Sequence, residues 1–81
     1  MYRWPMTPAQ CRAARGLLDW TQQALADASQ VGNATIRNFE AGRSTPQRAT
    51  LTVLRQAFEA AGVEFIPENG GGAGVRLKRA P

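Results

Sequence analysis

Asn33, Ala34, Arg37 and Asn38 fall at helical spacing along one edge of a short segment, and their side chains suit a polyanion better than a reaction centre. An asparagine amide both donates and accepts, a guanidinium reaches guanine or a phosphate, and an alanine methyl fits against the methyl of thymine. Catalysis is poorly provided for. The 81 residues contain no histidine and one cysteine, Cys11, which removes nearly every zinc site, every Ser-His or Cys-His dyad and most general acid-base schemes. The expectation is a chain that is not an enzyme and uses no cofactor and no metal. Cys11 excludes a disulfide within these residues and falls on the buried edge expected for the first helix, as a small core residue.

Charge points the same way. The formal net charge is +4, and between Gly32 and Arg55 the bases Arg37, Arg43, Arg48 and Arg55 face a single acid, Glu40. That concentration favours a polyanionic partner, whereas scattered arginines that merely keep the chain soluble are the plainer alternative. The length allows one small domain with one core. No apolar run suits a signal peptide or approaches membrane-spanning length, so a cytoplasmic or nucleoid location without membrane attachment is expected.

Helices must position these residues. Thr7, Pro8 and Gln10 make a helix start of the capping-box type, predicting a helix from Pro8 to about Leu18 with Cys11, Ala14 and Leu18 inward. Gly16 weakens it by about 0.5 to 1 kcal/mol relative to Ala. Trp20 is expected to be structural, and Thr21 caps the next helix. From Thr21 to Gly42, Leu25, Ala28, Val31, Ile36 and Phe39 give two short helices one oily edge each, with Ala26 small enough to let their axes approach. Neither is stable alone at that length. A further helix is expected from about Gln47 to Ala61, with Leu51, Leu54, Phe58 and Ala61 inward and Gly62 as its stop.

The tail departs from this pattern. Val63 to Ile66 and Val75 to Lys78 are strand-like, and Asn69-Gly70 between them favours a hairpin turn. The glycine run is not a phosphate cradle, because no Lys-Ser or Lys-Thr and no helix follow it. An isolated hairpin is marginal in water, so this one packs on the domain, pairs with a second copy through its open edge, or does both. Arg76, Lys78 and Arg79 form a basic end, solvated or touching DNA. At the other terminus Tyr2 and Trp4 cover part of the core or of a partner.

The segment Thr21 to Gly42 resembles the helix-turn-helix of the lambda repressor and Cro family, also called the XRE family. The resemblance is carried by Gln22, Leu25-Ala26, Val31, Ile36 and Glu40-Ala41-Gly42, and it extends over roughly Thr7 to Gly62. Two positions depart from the pattern: Gln30 stands where the family usually has Gly, and Gly32 where it usually has a Ser or Thr cap. The resemblance implies a mainly α fold, a four-helix lambda-repressor-like domain over residues 7–62, followed by a C-terminal β-hairpin and basic tail over 63–81. It implies double-stranded DNA as the partner. Asn33, Ala34 and Arg37 would face base edges, Thr35 or Asn38 a further base or the backbone, Gln22 and Gln23 phosphates, and Arg43, Ser44, Thr45 and Arg48 the backbone on the far side. It also implies a partly buried pair between Arg15 and Glu40 that sets the angle of the recognition helix, against the plainer view of two unrelated surface charges.

One such helix reads only a few base pairs, so a homodimer on a palindromic operator is expected, with the hairpin as first choice of interface and the last helix as second. The functional expectation is a sequence-specific transcriptional regulator, a repressor. The alternative is a module of the same fold that binds a regulatory protein partner instead of DNA, as an antiactivator or antitoxin does.

Overall fold

Thr7 opens the first helix by closing both halves of a capping box: its hydroxyl accepts the Gln10 N–H at 3.0 Å, and its own N–H donates to the Gln10 side chain at 2.9 Å. Together with Pro8 at the first turn this satisfies donors that a helix start leaves orphaned. A computed structural model, which describes residues 5–67 and 70–78, places α1 at Pro8–Leu18, α2 at Gln22–Ser29, α3 at Asn33–Glu40 and α4 at Arg48–Ala60. These precede two strands, β1 at Val63–Ile66 and β2 at Gly74–Leu77. The expectations for Tyr2, Trp4, Asn69 and Arg79 lie outside the described residues.

The turns follow local chemistry. Asp19 ends α1 in the left-handed region (φ 57°), and Gln30 ends α2 there as well (φ 63°). A residue other than Gly costs about 1 kcal/mol in that conformation. Gln30 offsets part of the cost by donating its side-chain amide to the Asp27 carbonyl at 2.8 Å. Thr21 caps α2 through the Ala24 N–H at 2.9 Å, whereas Gly32 begins α3 with no side-chain cap.

The helices enclose one core of Met6, Cys11, Ala14, Leu25, Ala26, Ile36, Phe39, Leu51, Leu54 and Phe58, continued by Val63 and Phe65 of β1. Trp20 is structural, as expected: it is half-buried and stacked on Phe58 at a ring-centroid distance of 5.9 Å. The strands form an antiparallel hairpin in which Val63 pairs with Leu77 and Phe65 with Val75. The hairpin packs on its own domain. Phe65 lies 6.0 Å from Phe58 and beneath the Arg55 guanidinium, and the buried Gln10 side chain donates to the Gly74 carbonyl at 3.0 Å, tying β2 to α1.

Some expectations need correction. Ala28 is exposed; the inward place on α2 belongs to Ser29, whose hydroxyl donates to the Leu25 carbonyl at 2.7 Å and accepts the Val31 N–H at 3.2 Å. The crossing of α2 over α3 turns the Leu25, Ala26 and Ser29 edge inward, so Ala28 is left on the rim. Ala61 is exposed too, because it is the C-cap, beyond the last full turn of α4. Gln47 is likewise the N-cap and not the first helical residue. Leu18 and Val31, half-buried, do pack against the core as expected, whereas β2 begins one residue early, at Gly74, and ends at Leu77. Among the described residues no helix is long and apolar enough to cross a membrane.

Candidate nucleic-acid interface

Glu40, the last residue of α3, accepts hydrogen bonds at both carboxylate oxygens. Oε2 accepts from Arg15 Nε at 2.7 Å and from the Cys11 thiol at 3.1 Å; Oε1 accepts from Arg15 Nη2 at 2.7 Å and from the Gln22 amide at 3.1 Å. The Glu40 carbonyl also accepts from Arg12 Nη1. Arg15 thus grips the carboxylate with two parallel N–H groups, the fork geometry that makes such pairs directional. Its third nitrogen, Nη1, donates to the Trp20 carbonyl at 2.9 Å, reaching the loop between α1 and α2. One carboxylate therefore joins the middle of α1, the start of α2 and the end of α3.

The Glu40 side chain is 3 % exposed and that of Arg15 20 %. Burial by itself would raise the carboxyl, but the hydrogen bonds from Arg15, Gln22 and Cys11 outweigh it and hold Glu40 below the ordinary range. The bond to Glu40 raises Arg15 further. Burial, reinforced by the adjacent carboxylate, pushes the Cys11 thiol well up, so it is held as a neutral donor and not as a nucleophile. The expected pair between Arg15 and Glu40 is present, with two partners that went unforeseen. Cys11 had only a partial signal, its place one helical turn before Arg15 on the same side of α1. Gln22 had none beyond its place at the start of α2.

With its inner side fixed in this way, α3 turns its other side outward. Ile36, Phe39 and Glu40 are buried, Ala34, Thr35 and Arg37 are exposed, and Asn33 and Asn38 are half-buried at the edges of the outer face. Three of the nominated residues are joined: the Asn33 amide donates to Gln23 Oε1 at 3.3 Å, and Arg37 Nη1 donates to Asn33 Oδ1 at 3.0 Å. Gln22 is diverted inward to Glu40, so its amide already has a partner before any phosphate arrives. Arg43, Ser44, Thr45 and Arg48 are exposed in the connection from α3 to the first turn of α4. Among the described residues no group of acidic, histidine and cysteine side chains could hold a metal ion.

A family model for the helix-turn-helix (HTH_3) matches residues 12–64, well over half of the chain, from the first half of α1 into β1. No curated protein matches the chain.

Proposed function

We propose, for a chain that belongs to the XRE and lambda repressor-like helix-turn-helix family of DNA-binding regulators, that it is a sequence-specific transcriptional repressor which inserts α3 into a major groove. The observation that carries this reading is the division of α3 into a locked inner side and an outward polar side bearing Asn33, Ala34, Thr35 and Arg37. Arg37 faces base edges or phosphate, Ala34 a thymine methyl, and Thr35 or Asn38 a further base or the backbone. Gln23 and the exposed Arg43, Ser44, Thr45 and Arg48 take phosphates on either side, while Gln22 contributes mainly by holding Glu40. The family is one of DNA-binding regulators and not typically of enzymes, and a regulator of this kind acts in the cytoplasm on the nucleoid.

A homodimer completes the reading, because two-fold pairing puts recognition helices about 34 Å apart in successive major grooves over a palindromic site. The hairpin is the preferred interface: Leu77 at the end of β2 is 47 % exposed, more than Val53 on α4 at 40 %. The test is a gel-shift titration of duplexes selected from a random pool, with Arg37→Ala beside the parent chain. Loss of specific binding in the variant supports the reading. Equal binding by both, or binding of a protein partner with no DNA retained, overturns it in favour of the partner-binding alternative.

A further inference from the structure

Two polar side chains join the segment that leads into α1 to the hairpin that follows α4. Arg55 of α4 donates Nη1 to the Pro5 carbonyl at 2.8 Å and Nε to Glu59 at 3.0 Å, while its guanidinium lies 4.9 Å from the centre of the Phe65 ring on β1. Gln10 reaches the other strand. Its Oε1 accepts the Thr7 N–H at 2.9 Å, and its Nε2 donates to the Gly74 carbonyl at 3.0 Å. The amide serves both partners in only one orientation, because turned over it would set its NH2 against an N–H and its oxygen against a carbonyl. Between these two points Met6 is 2 % exposed and seated in the core.

The strands need such support, since two strands alone are marginal in water. β1 buries Val63 and Phe65, but β2 adds only the half-buried Val75 and leaves Arg76 and Leu77 exposed. Among the described residues, Gln10 is the one helix side chain hydrogen-bonded to β2. We infer that residues 5–10 act as a strap holding the hairpin on the helices, with Gln10 and Arg55 as its fastenings. Loosening the strap opens the hairpin as a unit while the helix-turn-helix stays folded. Arg55 is thereby a positioning residue of the hairpin. It is withdrawn from the positive charge that the sequence gathers between Gly32 and Arg55, and it makes no phosphate contact. Where two copies pair through the hairpin, a step that rests on the homodimer reading, the strap also governs pairing.

Native-state amide exchange of the full chain, read by NMR, tests this with Gln10→Glu and Arg55→Ala. Glutamate keeps the capping box with Thr7 but, ionised, offers Gly74 no donor. In both variants the amides of Glu64 and Arg76, partners across the hairpin, should exchange at least about tenfold faster, with those of α2 and α3 within about twofold of the parent. This readout needs no DNA, so it stands apart from the DNA-binding reading. Binding of Arg55→Ala to an unrelated duplex should keep the parent's salt slope, whereas loss of a phosphate contact lowers that slope by about one. Exchange that rises equally in the hairpin and α3, outright unfolding included, or in neither, overturns the strap. A lowered salt slope overturns the assignment of Arg55. If the hairpin opens while dimer dissociation followed by sedimentation is unchanged, the strap stands and the hairpin is not the interface.

Discussion

The two sides of α3 make opposite use of polar groups. On the inner side one carboxylate, almost wholly removed from solvent, takes four side-chain donors from α1 and α2. On the outer side a comparable number of polar atoms hold one another in the open, between Arg37 and Asp27. Buried polar contacts are costly to break because what remains cannot return to water. Exposed ones exchange readily with solvent or a ligand and add little to stability. The difference separates a part that sets the angle of the helix from a part whose contacts can be handed to another molecule.

The comparison is broken most severely from the inside. Arg15→Ala leaves Glu40 buried without its charge partner and should lower unfolding free energy by about 3 kcal/mol, toward the lower end for buried pairs because the Arg15 side chain is partly exposed. Urea unfolding followed by helical signal reads this directly. An unchanged midpoint would mean that the pair is incidental.

Acid is the second way to break it. Glu40 lies below its ordinary value of 4.5 in the folded state, so the unfolded chain binds the proton more readily. Its contribution to stability is complete above the unfolded value and is lost as pH falls through the depressed folded value. Melting temperatures measured between neutral pH and pH 3 should fall more steeply for the parent chain than for Glu40→Gln, which starts lower and has no such carboxyl to titrate. Parallel curves would assign the acid response to other groups.

From the outside the same comparison predicts function without stability. Arg37→Ala should leave unfolding free energy within about 0.5 kcal/mol of the parent, as expected for an exposed position, while specific DNA affinity falls at least tenfold. The smallest effect belongs to the solvent-facing pair of Glu64 and Arg76 across the hairpin, 2.9 Å apart. Glu64→Ala should leave the denaturation midpoint unmoved, because solvent screens such a pair.

Most of this architecture was legible in the residues. Thr7, Pro8 and Gln10 specify the start of α1 through chemistry confined to four residues, and the helix begins where they place it. The apolar spacing of Leu51, Leu54 and Phe58 likewise fixed which side of α4 turns inward. Ala28 and Ala61 were misplaced for a related reason: periodicity ranks positions on an ideal cylinder, whereas burial at the rim and at a helix end depends on how neighbours cross. Ser29 illustrates this, being polar yet buried because its hydroxyl finds backbone partners one turn away. In the interface, the pair of Arg15 and Glu40 could be expected through the family resemblance, whereas the Cys11 thiol, expected only as a small core residue, could not be foreseen as a donor to the same carboxylate. The chain from Arg37 to Asp27 could not, since it links α2 to α3 and depends on the crossing geometry that the sequence does not state.

The central claim is that the outer side of α3 meets DNA while its inner side stays fixed by Glu40. Backbone amide NMR shifts of the full chain, titrated with a selected duplex, test it most directly. The account predicts perturbations concentrated at residues 22–23, 33–38 and 43–48, with the environment of Glu40 and Arg15 otherwise preserved. Perturbations confined to the hairpin or to the outer face of α4, with α3 silent at saturating duplex, would contradict it.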